Sequence, residues 1–200
     1  MCDRRHVIAV VLAGALATGC SEGTTEPPTT AEPLSAAESL ALFEGMRAIQ
    51  SDTAPTIIGG SESSLVVACP LGGQVSLALT FADESVADTL RLTWGSTAAP
   101  TGCQLSHGGS QFTVDGTPGV REQGAFVLVG FGEHFGLEGS VTEAVDWRLD
   151  DRSGSCDMDL VLSGEPDLSA TEPSVVAVLS GTPCGHEAEI EVQGIPGPSG

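Results

Sequence analysis

The 200-residue chain contains no lysine, no asparagine and no tyrosine, and only 4 % of it is aromatic. Each shortage excludes something. Seven arginines are its only strongly basic residues, against 27 acidic ones, for a formal charge of −20. Binding to nucleic acid relies on a basic face that neutralises phosphates, and this chain lacks the means to build one. The same shortage excludes docking to anionic lipid heads through a polybasic patch. Without asparagine there is no N-glycosylation sequon. The low aromatic content argues against an outer-membrane barrel, which needs aromatic girdles. The chain is nevertheless not an acidic disordered polymer. It is 40 % hydrophobic, with a mean hydropathy of +0.15, enough for one folded domain.

The first residues read MCDRRHVIAVVLAGALATGC. Arg4 and Arg5 precede an uncharged apolar run from Val7 to Ala17, which is too short to span a bilayer as a helix. Small residues then lead into a cysteine, Ala17-Thr18-Gly19-Cys20. This resembles the lipobox of bacterial lipoproteins. The resemblance implies cleavage before Cys20, lipid on Cys20, and a cell-envelope address. Ser21 stands where the family's inner-membrane retention signal has Asp, which implies the outer membrane. An ordinary secretory signal and an uncleaved anchor are the two other readings of the same residues. Residues 21–33, SEGTTEPPTTAEP, carry no large apolar side chain and read as a semi-extended tether. The expected organisation is a signal peptide at 1–19, a lipidated Cys20 and tether through 33, a folded domain at 34–193 and a disordered tail at 194–200.

Cys69, Cys103, Cys156 and Cys184 remain in the exported domain, where two disulfides are the default and three connectivities are possible. Two strands read between the first pair, about 74–81 and 88–94. Two more read between the second pair, about 156–163 and 174–180. A chain that goes up one strand and down the next returns to its starting end. The spacing therefore favours Cys69–Cys103 and Cys156–Cys184. Zinc would want ligands at closer spacing such as C-x2-C, and a redox C-x-x-C is also absent.

Ser35-Ala36-Ala37-Glu38 is a capping box followed by Leu40, Ala41, Phe43, Met46 and Ile49 at helical spacing, which predicts a helix at about 36–50. The remainder alternates with period two. Val75, Leu77, Leu79 and Phe81 share one face, as do Val141, Val145, Trp147 and Leu149. Glu187, Glu189 and Glu191 oppose Ala188, Ile190 and Val192. A short strand is expected at Phe112 and Val114, and a strand buried on both faces at 125–131. Eight to nine antiparallel strands in a meander, closed into a barrel or folded into a sandwich, with one N-terminal helix, is the expected fold. The motifs Cys69-Pro70-Leu71-Gly72-Gly73, Gly154-Ser155-Cys156 and Cys184-Gly185, with Cys103, resemble a group of uncharacterised bacterial envelope lipoproteins. That resemblance implies no activity.

Signatures of chemistry are scarce. No G-x-S-x-G, H-E-x-x-H, Walker or G-x-G-x-x-G motif occurs. His107-Gly108-Gly109-Ser110 resembles the oxyanion loop of esterases, but without a nucleophile elbow it reads as a turn. His107, His134 and His186 read as isolated loop histidines rather than metal ligands. Asp146, Asp150, Asp151, Asp157 and Asp159, with Arg148 and Arg152 among them, read as a solvated turn with local ion pairs rather than a calcium site. Trp94 and Trp147 read as core. The expectation is a non-enzymatic structural or binding module, attached to the membrane through Cys20, with no cofactor and no metal. The alternative is a small barrel carrying an apolar ligand; a hydrolase ranks third.

Overall fold

A computed structural model describes residues 32–53, 62–130, 134–167 and 174–196. The segment expected to be a signal peptide, Cys20 and nearly all of the segment expected to be a tether lie outside the described residues.

Helix α1 spans Ala36–Thr53, three residues longer than expected. Its start is the capping box: the Ser35 amide donates to Glu38 Oε2 at 2.8 Å, and the Glu38 amide donates to Ser35 Oγ at 3.3 Å. Arg152 reaches the same carboxylate from the sheet. Together the Arg152 guanidinium and the Ser35 amide hold Glu38 down at about 2. A depressed carboxyl contributes stability that is present above about pH 4.5 and lost as pH falls through 2. Glu38→Ala is expected to cost about 1 kcal/mol at pH 7 in urea denaturation, with wild type and variant converging below pH 2.

Among the described residues eight strands follow: β1 (Glu62–Ala68), β2 (Gly72–Asp83), β3 (Thr89–His107), β4 (Ser110–Val129), β5 (His134–Leu149), β6 (Arg152–Asp167), β7 (Ser174–Pro183) and β8 (Ala188–Pro196). Every strand pairs antiparallel with its neighbour in sequence, so the sheet is a simple meander of order β1 to β8. Among the described residues β1 and β8 share no ladder. α1 packs against β3, β4 and β7. Three strands separate β3 from β7, so the sheet curls around the helix like part of a barrel.

The number of strands agrees with the eight to nine expected, but two of the segments read separately from the sequence belong to one strand. The strand at Phe112 and Val114 and the one at 125–131 are one strand, β4. Pro100-Thr101-Gly102 and Gly116-Thr117-Pro118-Gly119 carry turn residues, yet they form facing irregularities inside the β3–β4 ladder. The Gly102 amide donates to Asp115 Oδ1 at 2.6 Å across that gap. Gly119 has φ +80°, and a Cβ there would lie 2.0 Å from the Ala98 carbonyl oxygen. The local chemistry is that of a turn, but the partner strand keeps the chain extended. β8 also runs to Pro196, beyond the expected end of the domain at 193.

Both disulfides pair as expected, Cys69–Cys103 and Cys156–Cys184, with Cα separations of 5.5 and 4.6 Å. The core lies on the concave face, between α1 and the sheet. Leu42, Phe43 and Met46 of the helix meet Val75, Leu105, Phe112, Val114, Val141, Leu160 and Leu179 of the strands, all essentially inaccessible. Burial on this scale is the main stabilising term. The segment 125–131 departs from its expected burial on both faces. Ala125 is buried, but Phe126 is only half-buried and Val129 is exposed; Phe131 lies outside the described residues. There the concave face runs on past the end of the helix. Phe126 and Phe135 meet edge to face at 4.7 Å in this region.

Candidate functional site: an apolar cleft beside the helix

α1 does not fill the trough. Beyond its buried face, the C-terminal half of the helix and the inner face of β2 to β4 enclose a cleft of about 270 Å³ that opens to solvent. Period-two alternation builds the sheet wall. β2 presents Leu77, Leu79 and Phe81 to it, and β3 presents Trp94 and Ser96. The register places Phe81 opposite Trp94 and Leu79 opposite Ser96. Trp94 lies flat against β4 because Gly124 is its partner there: a Cβ on Gly124 would sit 2.3 Å from the indole Cζ2. Glu122 of β4 and Arg47, Gln50 and Ser51 of α1 supply the polar part of the lining.

The polar groups are unevenly matched. Arg47 Nη2 is 3.7 Å from Glu122 Oε1, and the guanidinium also lies over the Phe43 ring, 5.9 Å from its centroid. Gln50 Nε2 is buried with no hydrogen-bond partner among the described residues. One row further into the sheet is Glu143, only 4 % exposed, with neither carboxyl oxygen partnered among the described residues. It sits in a cross-sheet row whose other members are Ala98, Val120, Met158 and Pro183, all buried. Burial pushes this carboxyl up to about 8, so it is mostly protonated at neutral pH. Glu122 faces Val141 in the register and Val120 faces Glu143, which makes the two glutamates diagonal neighbours on one face.

The residues singled out from sequence are dispersed. His107 meets Glu44 at 2.9 Å, and His186 Nε2 lies 2.8 Å from the Leu34 carbonyl oxygen, so both tie the helix to turns of the sheet. His134 is exposed at the start of β5. The described residues contain no group of three or more side chains able to hold a metal ion. His107 to Ser110 form the tight β3–β4 turn, with Gly108 and Gly109 at φ +56° and +85°. Asp146, Asp157 and Asp159 point outward and are exposed. The arginines among them do not pair with them, contrary to expectation. Arg148 meets Asp115 of β4 at 3.3 Å, and Arg152 meets Glu38. Cross-strand and helix partners are closer to them than their own hairpin. Trp147 is core, at 3 % exposure, whereas Trp94 is only partly buried and lines the cleft.

Sequence reasoning passed over Glu143. Its signal was present: Glu143 lies in phase with Val141, Val145 and Trp147, so period two turns it inward. Comparison with known proteins adds no relative, since no protein-family model, no curated protein and no solved structure matches this chain.

Proposed function

We propose that this protein is a non-enzymatic lipoprotein of the cell envelope, held through Cys20, whose β domain binds a small apolar ligand in the cleft between α1, β2 and β3. The observation that carries the binding reading is the half-buried Trp94 beside Leu77, Leu79 and Phe81 in a cleft the helix leaves open. Large apolar side chains are normally covered, and a concave group of them with few polar neighbours is the usual form of a ligand site. Its volume of about 270 Å³ falls just under the usual range of such sites, about 300–1,000 Å³, which limits the ligand to one short chain or a single ring. The lipobox-like start, the tether-like composition and the two disulfides support an exported, anchored module. An outer-membrane address is part of this proposal and rests on Ser21.

Fluorescence tests the cleft. In a Trp147→Phe background, Trp94 is the only tryptophan. Decanol is expected to shift its emission to the blue with saturation at one equivalent, and Ser96→Phe, which fills the cleft, to abolish the shift. Unchanged emission at every decanol concentration would remove the binding reading.

A further inference from the structure

The polar groups of the cleft decide what its ligand can carry besides an apolar body. Arg47 and Gln50 stand three residues apart on α1 and so share the face that lines the cleft. Arg47 Nη2 lies 3.7 Å from Glu122 Oε1, and both side chains are largely covered, so the lining holds one cation and one anion already matched. Ser51 is engaged as well, its hydroxyl donating to the Ala48 carbonyl oxygen at 3.1 Å. Gln50 differs. Its Nε2 is buried with no acceptor among the described residues, and a buried donor left unsatisfied is rare in a native fold. We infer that the ligand of this cleft is uncharged and carries one acceptor oxygen, a ketone or ester carbonyl, which takes the side-chain N–H of Gln50.

The inference rests on the cleft being the binding site. A charged head has no place in this lining. A carboxylate would compete with Glu122 for Arg47, and an ammonium would compete with Arg47 for Glu122. Each leaves one charge of a largely covered pair uncompensated, which is costly away from water. A carbonyl disturbs neither partner. It accepts from a donor that lacks an acceptor, and it brings no proton of its own to satisfy. An alcohol can take the same N–H, but it adds a hydroxyl proton that needs a second acceptor. In the empty cleft Nε2 is covered by its surroundings, so the amide turns to meet the ligand. The last torsion of a glutamine side chain is broad, which makes that turn easy. Gln50 belongs to the helical wall, whereas Leu77, Leu79, Phe81 and Trp94 form the sheet wall. The ligand therefore lies with its oxygen toward α1 and its apolar body against the strands.

NMR titration of the full chain carrying Cys20→Ser, in which no lipid on that residue competes for the cleft, provides the test. Four single-ring probes are compared at pH 7: acetophenone, ethylbenzene, benzoate and benzylammonium. The chain has no asparagine and six glutamines, so the side-chain amide signal of Gln50 is readily resolved. Acetophenone is expected to saturate at one equivalent and to move the Gln50 amide protons downfield. It is expected to bind about fivefold tighter than ethylbenzene, although ethylbenzene is the more hydrophobic of the two. Against either ion the expected margin is about tenfold or more. Gln50→Leu reverses the order of ketone and hydrocarbon. Thermal unfolding establishes that this variant is folded, and the Gln50 signal tests the same contact without any change at the site. A Gln50 signal that stays in place as acetophenone saturates overturns the proposal. So does either ion binding as tightly as the ketone, or a preference for the ketone that persists in Gln50→Leu. Acetophenone binding that survives Ser96→Phe also overturns it, because the ketone then sits elsewhere. If ethylbenzene binds the wild-type cleft as tightly as acetophenone or tighter, the acceptor inference falls while the cleft stands. If none of the four binds, both fall.

Discussion

Glu143→Leu is expected to stabilise the domain, by on the order of 3 kcal/mol at pH 8 and by progressively less toward pH 4.5. Glu143 is buried among Ala98, Val120, Met158 and Pro183 with neither oxygen partnered among the described residues. Its carboxyl is raised from 4.5 to about 8 by burial. Between those values the native chain holds a proton that the unfolded chain has released. The native state therefore binds more protons, and stability falls as pH rises through this window. Above about pH 8 the decline ends, because both states are then ionised. Leucine is close to glutamate in size, needs no hydrogen bond and suits the apolar row, so the substitution removes the cost instead of exposing it elsewhere. Glu143→Gln separates the two contributions. It abolishes the titration but leaves a buried amide to satisfy, so its stability is flat from pH 5 to 8 without the full gain. Urea denaturation at pH 5, 6.5 and 8 checks all three chains. Parallel pH profiles for wild type and Glu143→Leu would contradict the placement of Glu143 in the core.

Removing the disulfides has the second large expected effect. Cys69–Cys103 and Cys156–Cys184 span 34 and 28 residues. Loop-closure entropy assigns each about 3–4 kcal/mol, through restriction of the unfolded chain. The first loop encloses β2 and the second spans β6 and β7, so the losses are expected to be close to additive. Together they rival the whole stability of an ordinary domain, about 5–15 kcal/mol. Each paired Cys→Ala variant is expected to lower the urea midpoint in proportion, and the chain lacking both pairs to be marginal at 37 °C. A loss below about 1 kcal/mol for either pair would show that it restricts little of the unfolded ensemble.

Much of this architecture is legible in the residues because the pattern is simple. The capping box Ser35 to Glu38 starts the helix where it should. The alternation of Val75, Leu77 and Leu79 and the outward row Glu187, Glu189 and Glu191 place their strands correctly. The disulfides follow because a hairpin returns its chain to the starting end. What the sequence conceals is tertiary. Gly102 and Gly119 have turn chemistry, but pairing between β3 and β4 turns both sites into irregularities of one long ladder. The cleft depends on where α1 stops along the trough, which no local signal states. Arg47 and Glu122 come from a helix and a strand 75 positions apart in sequence, and only the fold brings them to 3.7 Å. Glu143 is the contrary case, readable from its phase and hidden only because a charged residue invites an outward assignment. Cys20 belongs wholly to the sequence-based part of the account, since it lies outside the described residues.

Native mass spectrometry of the protein purified from its native cells in mild detergent tests the central claim most directly. The protein is expected to carry a diacylglycerol-sized modification on Cys20 and, in addition, one small non-covalent adduct that dissociates on activation and is missing from Ser96→Phe. A chain free of any stoichiometric adduct under conditions that preserve the fold, or an adduct that persists in Ser96→Phe, would contradict the assignment of the cleft as its binding site.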